Sequence, residues 1–198
     1  MKKLVLATGN WNKVAELKII LRDLQLQIAT IDDYPGLVMP EEDRPDFVGN
    51  AAKKAEVVSG FTGEIALADD SGLEVEALGG RPGVHSARYA GEAGDYEANN
   101  QKLLSELEGL PRERRGARFA CAIAIAVPGD KTYVVEEYCP GRIAESLRGE
   151  GGFGYDPLFI YEPAGVSFAE MSAEAKNKVS HRGRALRSAS ELLADLLK

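Results

Sequence analysis

Leu4-Val5-Leu6-Ala7 is an unbroken apolar run of strand length, and Thr8-Gly9-Asn10 ends it. Val14, Leu17, Leu21 and Leu24 then recur at helical spacing, which predicts a helix from Asn10 to Leu24, and Leu26 to Ile31 predicts a second strand. A strand–helix–strand opening of this kind favours an α/β fold with a parallel strand pair. Asp32 to Asp46 reads as loop, punctuated by Pro35, Gly36, Pro40 and Pro45. Phe47, Ala51, Ala55 and Val58 mark a second helical face, with Lys53 and Lys54 beside it. Ile65 to Ala68 predicts a short strand that runs into Asp69-Asp70-Ser71-Gly72. Residues 79–94 hold five glycines and Pro82 and read as one long loop. Tyr96, Asn100, Leu103, Leu104 and Leu107 give a third helix. Phe119 to Val127 and Thr132 to Tyr138, turning at Pro128 to Lys131, predict a hairpin. After a second glycine cluster, Gly149 to Gly154, comes a short strand from Leu158 to Tyr161. A helix from about Arg182 follows, buried through Leu186, Ala189, Leu193 and Leu196. No linker composition interrupts the pattern, so 1–198 reads as a single domain.

The charge balance narrows the partners. Lys and Arg number 24 against 31 Asp and Glu, a net charge of -7, so the positive field that duplex nucleic acid requires is absent. Two Cys and two His are too few for a zinc centre or a disulfide framework. The apolar run after Lys2-Lys3 is too short for a secretory signal, and nothing approaches the roughly 18 apolar residues of a membrane span. The expectation is a cytoplasmic protein without a membrane partner.

Five segments carry candidate chemistry. Thr8-Gly9-Asn10-Trp11-Asn12-Lys13 lies where a strand meets a helix, where free backbone N–H groups and a lysine suit phosphate. It is not a Walker loop, since G-x-x-x-x-G-K followed by Ser or Thr occurs nowhere. Asp69-Asp70-Ser71-Gly72 places adjacent carboxylates on opposite sides of an extended chain, so one can be structural while the other holds Mg²⁺ and orients a water. An acidic turn is the plainer reading of the same residues. Glu41-Glu42 sits in a loop with six acids against Arg44 alone, and either could complete a metal site or simply be solvated. Gly149 to Pro157 contains the letters G-x-G-x-x-G without the strand–helix context of a dinucleotide site. Its Phe153 and Tyr155 among glycines suit close approach to a flat ligand. Lys176 to Arg187 gathers Lys176, Lys178, His181, Arg182, Arg184 and Arg187. That basic run suits a polyphosphate or a base edge if it is more than a solvated face. A Ser–His hydrolase lacks support, because G-x-S-x-G is absent.

Taken in order, six motifs resemble the inosine triphosphate pyrophosphatase (Ham1-like) family, whose bacterial branch is the dITP/XTP pyrophosphatase. They are Leu6 to Asn10 with Lys13, Phe47 with Asn50-Ala51 and Lys54-Ala55, Ala68 to Leu73, Pro82-Gly83 with Ser86 to Tyr89, Gly152 to Pro157, and Ser180 to Gly183. The resemblance implies a mixed α/β fold in which a long twisted sheet flanked by helices forms two lobes with an interlobe cleft, usually as a homodimer. It also implies Mg²⁺-dependent hydrolysis of noncanonical purine nucleoside triphosphates (ITP, dITP, XTP) to the monophosphate and pyrophosphate.

Carried over by position, the resemblance makes Asp70 the proton acceptor and a metal ligand, with Glu42 or Glu41 as its metal partner and Asp69 in support. Thr8, Gly9, Asn10, Trp11, Asn12 and Lys13 would cradle the triphosphate, with Lys54 also neutralising it, and Ser71 would touch the substrate. Phe153 would stack on the base, Gly154, Tyr155 and Asp156 would line its pocket, and Lys176, His181 and Arg182 would reach its 6-oxo group. One position departs from the pattern: the acid that often precedes the Asn-Ala pair is here Gly49. Maf-like pyrophosphatases and a noncatalytic nucleotide-binding regulator are the rival readings. The Gly152 to Pro157 and Ser180 to Gly183 segments argue against the first.

Overall fold

A computed structural model describes residues 2–22, 24 and 26–196. Its described residues contain strands β1 (Lys3–Leu6), β2 (Gln27–Thr30), β3 (Ile65–Val75), β4 (Gly116–Ala126), β5 (Thr132–Ile143), β6 (Phe159–Tyr161) and β7 (Val166–Ser167). The helices are α1 (Trp11–Leu21), α2 (Phe47–Thr62), α3 (Tyr96–Glu106), α4 (Ala173–Val179) and α5 (His181–Leu196). The strands form one mixed sheet in the order β2-β1-β3-β4-β5-β6-β7. β1 runs parallel to both β2 and β3, as the strand–helix–strand opening predicts, and β6 is antiparallel to β5 and β7.

Two compact units divide the chain. The first comprises Met1–Asp70, Cys121–Glu137 and Arg182–Lys198, and the second Ser71–Ala120 and Tyr138–His181. In the first, Val14, Leu17 and Leu21 of α1 and Ala185, Leu186, Ala189 and Leu193 of α5 bury their apolar stripes on Leu4, Leu6, Leu67, Ile123 and Ile125. In the second, Leu103 and Leu107 join Leu73, Val75, Phe119, Phe159 and Phe168. There the Phe119, Phe159 and Phe168 rings pack with centroids 4.6 to 5.9 Å apart.

Polar side chains define most helix starts. Asn10, Asp46, Asp95 and Ser172 cap α1, α2, α3 and α4 by accepting backbone N–H groups of the first turn. Gly63, at φ +69°, ends α2 in the left-handed conformation that glycine adopts without a Cβ penalty.

Three expectations need correcting. The strand starting at Ile65 does not stop at Ala68. It continues through Asp69 and Asp70 to Val75, because ion pairs and burial hold the two aspartates extended rather than in a turn. The segment 79–94 is not one irregular loop, since Gly83–Arg88 winds into 3-10 turns under the buried Ser86 and Tyr89. The first helix ends at Leu21 rather than Leu24, and α4 has no counterpart in the hydrophobic pattern because only Lys176 of its residues is buried. Among the described residues, no helix is long and apolar enough to cross a membrane.

Candidate active site

The first unit holds a buried charge network on β3. Asp69 is fully buried, and its Oδ2 accepts from Lys13 Nζ at 3.0 Å and from Arg182 Nε at 3.1 Å. The Arg182 guanidinium also reaches Glu16 of α1 through Nη1. Burial works against the Asp69 charge, but Lys13, then Arg182 and Lys54, hold its carboxyl well below the usual carboxylate range.

Asp70, next along the strand, belongs to a second group. Lys54 of α2 is buried and places Nζ 2.7 Å from Glu42 Oε1, 2.8 Å from the Asp69 carbonyl oxygen and 3.4 Å from Asp70 Oδ1. Burial alone would lower the Lys54 ammonium, but Asp70 and Glu42 overcome it and raise it, so Lys54 stays cationic. Burial also pushes the Asp70 carboxyl up, and Lys54 and Lys13 only partly oppose the rise. Asp70 Oδ2 is buried and has no hydrogen-bond partner among the described residues. Two neighbouring carboxylates thus differ sharply: one is locked in its ionised form, and the other is poised to take a proton.

The acidic loop is tied to α2 rather than loosely solvated. Lys53 Nζ donates to the Glu41 carbonyl and to Asp43 Oδ1, and Asn50 Oδ1 accepts the Arg44 N–H at 2.9 Å. The Glu41 side chain itself is exposed, so Glu42 is the acid that meets Asp70 across one ammonium. Gly49 donates its N–H to Asp46 Oδ1, and a Cβ there would lie 2.9 Å from the Arg44 Cβ. The loop therefore packs where any side chain at 49 would start.

The start of α1 differs from its expected form. Asn10 Oδ1 already accepts the N–H groups of Asn12 and Lys13, and Thr8 Oγ1 accepts that of Asn10. Fewer backbone donors are therefore free than the sequence suggests. Thr8 is buried, whereas Gly9, Trp11 and Asn12 are exposed.

The second unit carries an aromatic platform. Phe153 is half-buried, and its N–H donates to Asp156 Oδ2 at 2.8 Å. Asp156 also takes Lys176 Nζ at 2.6 Å, and that ammonium lies 4.9 Å from the Phe153 ring centroid. Asn100 of α3 donates from Nδ2 to the Gly154 carbonyl at 2.9 Å, and the Tyr96 ring sits 6.1 Å from that of Phe153. Tyr155 is buried and donates its hydroxyl to the Ser86 carbonyl. Ser71 is half-buried on β3. His181 stacks on Phe119 with centroids 4.5 Å apart.

Gly152 has φ +72°, and a Cβ there would lie 2.0 Å from Asp156 Oδ2. Gly152→Ala should therefore break the Asp156 clasp and raise KM for a base-bearing substrate by about tenfold or more. Steady-state kinetics check this.

Lys176 thus stands beside the predicted stacking ring, while Arg182 is engaged by Asp69 and Glu16. Glu16, and Asn100 beyond its place on the third helix, carry no site signal in the sequence. Glu16 meets a partner 166 residues away and Asn100 one 54 away, separations at which no local pattern speaks.

The network has a pH consequence. Asp69 titrates lower when folded than the roughly 3.9 of a free aspartate, so its stabilising contribution is complete above about pH 4. That contribution is lost as pH falls through the folded value. Urea unfolding should show the stability gap between the wild type and Asp69→Asn closing below pH 4.

A divalent cation suits this chemistry. Among the described residues, no group of three or more His, Cys, Asp and Glu is arranged to hold a metal. The protein would supply Glu42 and Asp70, whose carboxylates already face one cation, the Lys54 ammonium, with water and phosphate oxygens completing the shell. Magnesium keeps several waters and needs only one or two carboxylates, so the donor set fits it.

Comparison with known proteins agrees with these features. The profile of the Ham1 family matches residues 4–192. The dITP/XTP pyrophosphatase of Desulforamulus reducens is 54% identical over 96% of this chain and 95% of its own length. That of Geobacter sulfurreducens is 53% identical over 94% of each. A HAM1 protein from Coxiella burnetii superposes with a TM-score of 0.90 at 38% identity, covering 98% of this chain and all (100%) of its own. The chain belongs to the Ham1 family.

Proposed function

We propose that this protein is a nucleoside triphosphate pyrophosphohydrolase that converts dITP, ITP, XTP and dXTP to the monophosphate and pyrophosphate, cleansing the nucleotide pool. Relatives named dITP/XTP pyrophosphatase support the reading. The observation that carries it is Asp70, a buried carboxyl with a raised pKa and a partnerless oxygen beside Lys54 and Glu42.

In the proposed reaction, a water oxygen bonds to the α-phosphorus while the bond from that phosphorus to the bridging oxygen breaks, and pyrophosphate leaves. Asp70 Oδ2 takes the water proton and later releases it to solvent. Asp69 stays ionised and keeps Lys13 and Arg182 in place. Lys13, Lys54 and the start of α1 from Thr8 to Lys13 meet the phosphates. Magnesium, held by Glu42 and Asp70 when bound, supplies charge neutralisation at the phosphoryl oxygens.

On the base side, Phe153 offers a stacking face, and Asp156 fixes Lys176 as a donor-only group next to it. A 6-oxo group accepts from such a donor and the 6-amino group of adenine does not, which favours hypoxanthine and xanthine over adenine. The family resemblance also supports a cytoplasmic location and a homodimer, and analytical ultracentrifugation tests the latter.

Pyrophosphate release from ITP, XTP, dITP, GTP, ATP and dUTP, with and without Mg²⁺, tests the whole reading. Turnover of ITP, dITP and XTP with Mg²⁺ and little turnover of ATP is expected. Equal rates on ATP and ITP would remove the base-recognition step, and orthophosphate as the product would move the cleavage site.

A further inference from the structure

The side chain of Asn100 sits in a poor place for an amide. It is 6% exposed, on a helix whose other buried side chains are Asn99 and Leu103. Its neighbour Asn99 uses both ends: Oδ1 accepts the Ala90 N–H at 2.7 Å, and Nδ2 donates to the Ala87 carbonyl at 3.2 Å. That is a complete structural brace on the segment ahead of α3. Asn100 uses one end only. Nδ2 donates to the Gly154 carbonyl, whereas Oδ1 is buried with no partner among the described residues.

The carbonyl of Gly154 fixes the orientation of this amide, because turning it over would set two acceptors against each other. The chain therefore carries a desolvated acceptor that a leucine at the same position would not. Its return is a tie to the residue after Phe153, in a loop where Gly152 and Gly154 both have positive φ. Tyr96, one helical turn earlier on α3, brings its ring to Phe153. Asp156 and Lys176 clasp the same loop from its other end.

We propose that Asn100 is a positioning residue for base recognition, holding the Gly154 carbonyl so that Phe153 is presented as a fixed stacking platform. The proposal rests on the functional reading above. It assigns to α3 a part in substrate selection that none of the candidate motifs carries. Because the tie acts on the loop that meets the base and not on the groups that meet the phosphates, its loss falls on the affinity for the nucleoside part of the substrate.

The test uses Asn100→Asp, which keeps the shape but loses the donor, and Asn100→Leu, which removes the polarity. Each is assayed on ITP, with inorganic tripolyphosphate as a competitive inhibitor that has no base and far-UV circular dichroism as the folding check. Both variants should raise KM for ITP about tenfold, with kcat within about twofold of the wild type, and leave the tripolyphosphate inhibition constant unchanged. Unchanged KM in both, or an inhibition constant rising in step with KM, would overturn the assignment. Failure of both variants to fold at the assay temperature would make Asn100 structural and overturn it too. A wild type with no ITP turnover would instead overturn the functional reading, and this one with it.

Discussion

Asp70→Asn should lower kcat on ITP by about a thousandfold, the scale of a lost general base, while the dissociation constant for ITP moves by less than about tenfold. The substitution preserves the side-chain shape on β3 and removes the ionisable carboxylate whose Oδ2 is buried and has no partner among the described residues. Burial pushes the Asp70 carboxyl above its ordinary range and makes it a stronger proton acceptor than a free aspartate, a role an amide cannot fill. Single-turnover kinetics and equilibrium binding separate the outcomes. A protein that only bound nucleotide would lose no turnover, because it would have none to lose.

The second large effect is on stability. Arg182→Met should cost about 3–5 kcal/mol, the cost of leaving a buried charge with part of its compensation gone. For a chain of this size, the melting temperature should fall by about 10 °C. The guanidinium bridges the fully buried Asp69 and the partly buried Glu16, and without it only Lys13 remains on Asp69 Oδ2 among the ion pairs described above. Adding Asp69→Asn to Arg182→Met should recover part of the loss, because the orphaned anion goes with its partner. A single variant within 1 kcal/mol of the wild type would show that this network carries little of the folding energy.

The pattern of apolar positions exposed most of the framework, for reasons visible in particular residues. Val14, Leu17 and Leu21 face a core at helical spacing, and Asn10 stands where an N-cap must, so α1 was legible within a few residues of its true ends. The turn-like composition of Asp69-Asp70-Ser71-Gly72, a local signal, hid how far β3 runs. What keeps these residues extended is burial beside Lys13 and Arg182, the latter 113 residues away. Helix α4 was invisible because a short exposed helix has almost no apolar stripe.

The candidate site divides in the same way. Lys54, Asp70, Phe153 and Lys176 were each nominated from local motifs or family resemblance. That Lys54 bridges Glu42 to Asp70, and that Lys176 lies by the Phe153 ring, are facts of tertiary packing. Arg182 gains from the structure a tie that position alone did not suggest. Resemblance points it at a base, whereas its described contacts are with Asp69 and Glu16. The Asn10 cap, by taking two N–H groups of α1, likewise narrows the phosphate site that the loop composition suggested.

Hydrolysis of ITP in ¹⁸O-labelled water is the most direct test of the central claim, that water attacks the α-phosphorus. One ¹⁸O should appear in inosine monophosphate and none in pyrophosphate, and mass spectrometry reads both. Label in pyrophosphate, or in orthophosphate released beside inosine diphosphate, would contradict the account.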